Sequence, residues 1–97
     1  MAMHKPLHPG EFIWDTYLEP FSLSVRSLAD SLGIAASTVN RLVNGQSGIS
    51  PEMALRLSKA LGRSPESWLA MQHAYDLWTA RQTMDLSGVE VIRFDAA

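Results

Sequence analysis

The sequence predicts an all-α protein built from five helices and a short C-terminal tail. A helix-start signal, in which serine precedes proline and glutamate, occurs twice, at positions 50–52 and 64–66. Glycine follows several of the apolar stretches, as is typical of helix ends. The alternation of apolar and polar residues that predicts a strand is clear only near the C terminus. These observations together favour a small helical fold.

Length and composition predict a single domain over residues 1–97. Hydrophobic residues make up 46% of the chain and charged residues 19%, which is typical of a globular protein. A chain this short has little room for a deep active-site cleft. No apolar run reaches the roughly 18 residues that span a bilayer, and no export signal is readable. Cysteine is absent, which excludes disulfides and thiolate metal sites, and we expect a cytoplasmic protein.

Charge is unevenly distributed along the chain. The net charge is −2, but between Ser24 and Arg63 five basic residues oppose two acidic ones, which leaves +3 there and −5 elsewhere. Phosphate neutralisation supplies most of the non-specific affinity for nucleic acid, so this distribution matters more than the sum. The pattern is weak on its own. It favours one anion-binding face and different partners for the acidic ends.

Capping residues define the first two predicted helices. The first runs from about Pro9 to Leu18, with its proline in the first turn, and Pro20 follows its end. The second begins after Ser24, a favourable N-cap, and ends at Gly33. Each carries an apolar face at helical spacing.

The remaining helices follow from the same signals. We predict a third helix over about Ala36 to Val43, a fourth from Pro51 to Leu61 and a longer fifth from Pro65 to about Thr83. In the tail, Val89, Val91 and Arg93 alternate with Glu90, Ile92 and Phe94, a pattern that predicts a short strand. A single strand is stable only with a partner.

The second and third helices have the spacing of a helix-turn-helix. Ala29 is small enough for the third helix to cross closely, and Gly33 can adopt the positive φ of a tight turn. Ile34 is placed to fill the underside of the turn, while Val39 and Leu42 point inward. The outward face keeps small and hydrogen-bonding residues: Ala36, Ser37, Thr38, Asn40, Arg41 and Asn44.

A helix with such a face can enter the major groove of DNA, where short side chains allow close approach and Asn or Arg can bond base edges. Two plainer interpretations stay open. The two helices could form only an αα-hairpin whose outer face is polar because it is exposed to solvent. Ser37 and Thr38 could serve only as caps of the third helix.

The chain resembles the XRE-type helix-turn-helix family of phage repressors, and more closely its HigA antitoxin branch. The resemblance covers about Pro6 to Arg81. Its most specific parts are the blocks NG-x-x-GISPEMALRLSKALG and SPESWLAMQ-x-x-YDLW, and the N-terminal HPGEF and LEPFSLS resemble that branch as well. The resemblance implies a five-helix, lambda-repressor-like domain with a longer C-terminal helix.

The resemblance also implies function. Proteins of this branch form homodimers that bind operator DNA, repress their own operon and neutralise a cognate HigB-type mRNA interferase toxin. By position, the residues facing base edges would be Ala36, Ser37, Thr38, Asn40 and Arg41. Those near phosphates would be Ser24, Arg26 and Asn44. The open alternative is a stand-alone XRE-family regulator without a toxin partner.

Two positions depart from the family pattern or limit what it implies. Many phage repressors have glutamine where this chain has Val25, so a contact made there by the amide is in doubt. Ala36 offers no hydrogen bond and could at most touch a thymine methyl group. Base recognition therefore depends mainly on the polar residues that follow.

The fifth helix has more apolar surface than one small core needs. Trp68, Met71, Tyr75 and Trp78 recur at steps of three and four. Either the whole stripe packs against helices one and four, or its later turns form a two-fold interface. One helix reads only a few base pairs, so a dimer is expected. We therefore assign residues 9–63 to the helix-turn-helix core and residues 64–97, with Tyr75 and Trp78, to dimerisation.

Enzymatic chemistry has little support. His4, His8 and His73 lack the spacing of metal ligands, and His8 is interpreted as a cap or an exposed turn residue. No glycine-rich phosphate loop or nucleophile motif occurs. We expect no enzyme activity, cofactor or metal. Acidic residues could contact a basic toxin, with a solvated surface as the alternative: Glu11, Asp15, Glu19, Asp76, Asp85 and Glu90.

Overall fold

The computed structural model describes residues 4–95, which form five α-helices and no strand. A π-helical segment (Trp14–Leu18) directly follows the first α-helix. The α-helices are α1 (Pro9–Ile13), α2 (Val25–Leu32), α3 (Ala36–Val43), α4 (Pro51–Leu61) and α5 (Pro65–Thr83). The all-α prediction is confirmed, and the predicted bounds of the last four helices agree with those observed.

Side-chain caps fix where most of the helices begin. The hydroxyl oxygens of Ser24, Ser50 and Ser64 each accept a hydrogen bond from the backbone N–H three residues later, at 3.0, 3.1 and 3.1 Å. At α1, Nδ1 of His8 accepts from the backbone N–H of Gly10 at 2.9 Å. Each bond satisfies an amide that helix geometry leaves without an intrahelical partner.

The first helix is less regular than the single helix predicted from Pro9 to Leu18. Its second half is π-helical, and the backbone N–H of Glu19 donates to the carbonyl of Trp14, five residues earlier, at 2.9 Å. Ile13 and Leu18 are also five residues apart, and both are buried, with 0% and 1% of their surface exposed. In a regular α-helix these side chains would point about 140° apart. The wider π turn brings both onto the core.

The hydrophobic core lies where the five helices meet, with α2 against α3, α4 against α5, and α1 against both α3 and α5. Its buried members are Ile13, Leu18, Leu28, Ala29, Leu32, Val39, Leu42, Ile49, Ala54, Leu57 and Trp68. Gly10 lets α1 approach α3 closely. A Cβ at this position would overlap the carbonyl oxygen of Leu42 and lie 2.9 Å from Cα of Val43.

The turn between α2 and α3 has the predicted geometry. Gly33 adopts φ 71°, in the left-handed region, and the backbone N–H of Ile34 donates to the carbonyl of Ala29 at 3.1 Å. Ala29 is buried, which allows the close crossing. Arg56 of α4 secures the end of α2, since its Nη1 donates to the carbonyl of Leu32 at 2.7 Å.

A tight corner turns the chain from α4 into α5. Gly62 and Arg63 have φ values of 92° and 65°. The indole N–H of Trp68 donates to the carbonyl of Gly62 at 3.0 Å, and the Arg63 guanidinium lies 5.0 Å from the centre of the Phe12 ring. The first contact binds the start of α5 to the corner, and the second binds the corner to α1.

The tail forms no strand within the described residues, so that prediction is wrong for the isolated chain. Every residue from Arg81 to Asp95 is exposed, and Val91 and Phe94 each expose 89% of their surface. The physical reason is that backbone groups of a strand need a second strand, and the described part of this single chain offers none. The described structure measures 62 × 27 × 24 Å.

Candidate nucleic-acid interface

α3 holds a polar face above a rigid apolar base. Val39 and Leu42 are buried in the core, with 0% and 1% of their surface exposed. Ser37 is exposed on the opposite side, and Asn40 and Arg41 are exposed one helical turn after it. The structure thus brings together most of the residues predicted to face bases, whereas Ala36 and Thr38 lie half-buried beside them.

The polar groups of this face are available for an external partner. Within residues 4–95, the side chains of Asn40 and Arg41 make no hydrogen bond to protein. The N-cap of α3 is Ala35, and no side chain caps this helix. The interpretation of Ser37 and Thr38 as caps is therefore wrong, and their hydroxyls are open to other roles.

The residues predicted to lie near phosphates occupy the two ends of neighbouring helices. Ser24 and Arg26 are exposed at the start of α2, and Asn44 is exposed at the end of α3. The start of α2 carries the positive end of the helix dipole, which favours anions. Ser24 has a second role there, since its hydroxyl already accepts from the backbone N–H of Ser27 at 3.0 Å.

A groove beside α3 was not predicted from the sequence. Trp14, which is 44% exposed, lines it together with Val25, Asn40 and Asn44. A tryptophan within an amphipathic helix is usually assigned to the core. Here the π-helical segment starts at Trp14, and its side chain lies at the surface. No signal in the sequence marked that segment.

A loop over residues 45–49 continues directly from α3. The backbone N–H groups of Gly45 and Gln46 donate to the carbonyls of Leu42 and Arg41 at 3.0 and 2.9 Å. Gly45 has φ 75°, as expected for a glycine just after a helix. The end of the recognition helix and the start of this loop therefore form one unit.

Gln72 of α5 holds the far end of this loop. Its Oε1 accepts from the backbone N–H of Ile49 at 2.9 Å, and only 7% of its surface is exposed. Sequence analysis did not single out this residue. A usable signal existed, because a polar residue four positions after Trp68 falls on the apolar face of the helix.

His8 joins the start of α1 to α5. It is a cap, as predicted, but it is buried rather than exposed. Its ring lies edge-on to Tyr75, with centres 4.9 Å apart. Burial lowers the pKa of His8 from its ordinary value of 6.5, and this shift is opposed by a backbone hydrogen bond with Ser47 and by the charges of Asp76 and Glu11.

The apolar stripe of α5 is only partly covered by the rest of the chain. Trp68 is buried, and its ring centre lies 5.9 Å from that of Phe12. Tyr75 and Trp78 are half-buried, and Nζ of Lys5 lies 5.5 Å from the centre of the Trp78 ring. Packing on helices one and four therefore accounts for the first turns of the stripe. Dimerisation through the later turns stays a prediction.

Neither a metal-binding cluster nor a membrane-spanning helix occurs in residues 4–95. No group of three or more His, Cys, Asp or Glu residues in that range could hold a metal ion. No helix among these residues is both long and apolar enough to cross a bilayer.

Known proteins place the chain in a family. The helix-turn-helix family model (HTH_3) matches residues 16–68. Antitoxin HigA-1 of Vibrio cholerae is 40% identical over 77 residues, which cover 79% of this chain and 72% of the relative.

Solved structures agree with this assignment. Antitoxin GraA in complex with its operator superposes with a TM-score of 0.84 and 39% identity, covering 99% of this chain and 98% of that one. Pseudomonas aeruginosa antitoxin HigA with the higBA promoter superposes with a TM-score of 0.76 and 42% identity, covering 79% and 84%. The chain therefore belongs to the XRE-type helix-turn-helix family and, within it, to the HigA-type antitoxins, which are regulators rather than enzymes.

Proposed function

We propose that this protein is an antitoxin that binds operator DNA as a homodimer, represses its own operon and neutralises a cognate toxin. The observation that carries the proposal is the polar face of α3, on which Asn40 and Arg41 are exposed above the buried Val39 and Leu42. The DNA complexes of the relatives GraA and HigA support it. Operator binding would place the protein in the cytoplasm with the DNA.

In this proposal α3 lies in the major groove. Arg41 would bond a guanine and Asn40 an adenine, the pairings that geometry favours. Ser37 and Thr38 would add hydroxyl contacts, while the small side chain of Ala36 would let the backbone come close to the bases. Ser24, Arg26 and Asn44 would bind phosphates and thereby set the register of α3.

Dimerisation is proposed through residues 64–97, attached to the helix-turn-helix core at residues 9–63. A single α3 reads only a few base pairs, and a second half-site about 34 Å away multiplies specificity. The later turns of α5, with Tyr75 and Trp78, and the exposed apolar tail supply a surface for a second copy. Val91 and Phe94 in that tail are almost fully exposed, as expected of apolar residues that contact another protein.

The cognate toxin is proposed to be a HigB-type mRNA interferase. An enzyme that binds RNA needs positive charge to attract phosphates. An acidic antitoxin surface would complement that charge. Glu11, Asp15 and Glu19 are exposed along the first helix and just after its π-helical continuation, and Asp76, Asp85 and Glu90 are exposed as well. These carboxylates are the proposed toxin contacts.

Operator recognition is tested by fluorescence anisotropy with DNA from upstream of the gene, compared with scrambled DNA. Wild type should prefer the upstream DNA, and the Asn40→Ala/Arg41→Ala variant should lose the preference. Arg41→Ala alone should cost about 1–3 kcal/mol, concentrated at one base position. Lys59→Ala is a matched control because it also removes one positive charge. Lys59 lies on α4, beside the C-terminal end of α2, whereas Ser24 lies at the other end of α2.

Equal binding of wild type to both DNAs would contradict operator recognition. A loss in Arg41→Ala that is uniform across sequences would reassign Arg41 to a phosphate contact.

The proposed toxin partner is tested by co-expressing this protein with the product of a short open reading frame next to its gene that encodes a basic protein. The two proteins should purify together. Cells whose growth is inhibited by the toxin alone should grow again when this protein is also expressed. A gene without such a neighbour would leave a stand-alone regulator as the better conclusion.

A further inference from the structure

We propose that Gln72 is a positioning residue for DNA binding. From α5, it fixes the loop over residues 45–49. It thereby links α5, the helix expected to dimerise, with α3, the helix expected to read bases. The inference rests on the proposed operator binding. It assigns a role to a buried polar side chain that neither the core nor the proposed DNA contacts explain.

The geometry of the Gln72 amide determines which end faces the loop. Its Nε2 donates to Oδ1 of Asp76 at 2.9 Å, and its Oε1 accepts from the backbone N–H of Ile49 at 2.9 Å. A carboxylate only accepts hydrogen bonds, so Asp76 requires the amide nitrogen on its side. The oxygen is then directed at Ile49. Asp76 therefore sets the orientation of the Gln72 amide, and the amide oxygen binds Ile49 in the loop.

The fit between Gln72 and the loop is close. A Cβ at Gly48 would lie 2.9 Å from both Cδ and Nε2 of Gln72. Glycine is therefore the residue that lets the loop lie against the amide. The hydrogen bond to Ile49 is buried and joins residues 23 positions apart in the chain, and a buried amide that loses its acceptor is costly.

The loop transmits its position to α3. Its first residues are hydrogen-bonded to the last turn of that helix, through Gly45 to Leu42 and Gln46 to Arg41. A shift of the loop therefore shifts the turn that carries Arg41 and Asn44. Base readout requires side chains to be placed within a fraction of an ångström, so such a shift should weaken binding without unfolding the protein.

α5 reaches the first end of the loop as well. The ring of Tyr75 lies edge-on to His8, and Cγ of His8 lies 3.9 Å from where a Cβ of Gly45 would be. Gln72 and Tyr75 are three positions apart, on one side of α5. The same helical turn thus holds the loop at Ile49 directly and also contacts His8, which is hydrogen-bonded to the backbone of Ser47 in the loop. A partner that binds the later turns of α5 would act next to both contacts.

The test compares Gln72→Met with Ala60→Met, which introduces the same side chain at an exposed position of α4, outside the proposed dimer interface and away from α3. Methionine keeps the length of the side chain but cannot accept from Ile49. We expect operator affinity to fall about five- to tenfold in Gln72→Met. The Ile49 amide should exchange faster with deuterium, while circular dichroism and dimer mass stay unchanged. Ala60→Met should match wild type in every measurement.

A rescue variant separates positioning from general damage. In Gln72→Glu/Asp76→Asn, the introduced carboxylate can accept from the Ile49 N–H and also from the new amide. This variant should recover most of the operator affinity. Gln72→Glu alone sets two carboxylates against each other and should not.

Equal operator affinity of Gln72→Met and wild type would overturn the inference, as would a rescue variant that binds no better than Gln72→Met. If wild type shows no preference for operator over scrambled DNA, the proposed function fails instead. The exchange rate of the Ile49 amide still decides the role of Gln72 in that case, because an unchanged rate in Gln72→Met would show that Gln72 does not hold the loop.

Discussion

Both halves of α5 carry aromatic and aliphatic side chains, but the surroundings of the two halves differ. In the first half, Trp68 is fully buried and Gln72 is 7% exposed. After Gln72 no residue of the helix is buried, and Leu77 exposes 52% of its surface. The first half is covered by α1 and α4, whereas the second half extends beyond them. One helix therefore serves as part of a DNA-reading core and as a surface suited to a second protein.

The largest expected difference between the halves is in stability. Trp68→Ala should lower the free energy of unfolding by about 3–5 kcal/mol, since it removes a buried aromatic ring and its hydrogen bond to Gly62. Trp78→Ala should change the stability of the monomer by less than about 1 kcal/mol. Urea unfolding followed by circular dichroism, extrapolated to low protein concentration, measures both. Similar losses would show that the second half is packed as tightly as the first.

Two glycines extend the comparison to the core and the tail. Gly10→Ala should cost at least about 2 kcal/mol, because the new methyl group overlaps the backbone of α3 and α1 must move away. Gly88→Ala places a methyl group in open space and should stay within about 0.5 kcal/mol of wild type. Thermal unfolding distinguishes them. A tolerated Gly10→Ala would mean that the close contact between α1 and α3 is not needed.

Truncation after Arg81 addresses the exposed region alone. Loss of the apolar tail should raise the dimer dissociation constant at least about tenfold, which corresponds to roughly 1.4 kcal/mol. The helical content should fall only by the end of α5 that is removed, Gln82 and Thr83, because every residue removed is exposed in the described structure. Sedimentation by analytical ultracentrifugation measures the change. An unchanged dimer mass at all concentrations would place the interface elsewhere.

The smallest expected effect lies at the junction of the two regions. The pKa of His8 is lowered by burial, so the folded state favours the neutral ring, whose Nδ1 caps α1. Its stabilising effect is complete above the ordinary pKa of 6.5 and is lost as pH falls through the lower folded value. The free energy of unfolding should therefore decrease below about pH 6.5.

The matched variant is His8→Asn, which keeps a capping acceptor but does not titrate. Its free energy of unfolding should fall less steeply with decreasing pH than that of wild type. Parallel pH profiles for the two proteins would show that His8 does not contribute to the dependence.

Local features were predictable from the sequence because their causes are local. Serine caps mark where α2, α4 and α5 begin, and first-turn prolines support the start of α4 and α5. Gly33 marks the turn before α3. The helix-turn-helix spacing likewise places Val39 and Leu42 inside and leaves Asn40 and Arg41 outside. These rules depend on residues within one or two turns of each other.

Features that depend on distant contacts were missed. The need for Gly10 arises only when α1 meets α3, and the role of Gln72 only when α5 meets the loop after α3. Nothing near Trp14 in sequence marks the π-helical segment. The pattern of the tail predicts a strand, but pairing requires a partner that residues 4–95 of one chain do not supply. Tertiary and quaternary contacts, rather than propensity, decide these positions.

The π-helical segment from Trp14 to Leu18 also bears on how the length of this chain can vary. A π turn holds one residue more than the α-helical turn it replaces. Deletion of the exposed Thr16 would bring Ile13 and Leu18 four positions apart, a spacing that a regular α-helix places on one face. A deletion within α3 would instead rotate its polar face away from a ligand. The first helix can therefore gain or lose a residue during evolution while its buried side stays the same.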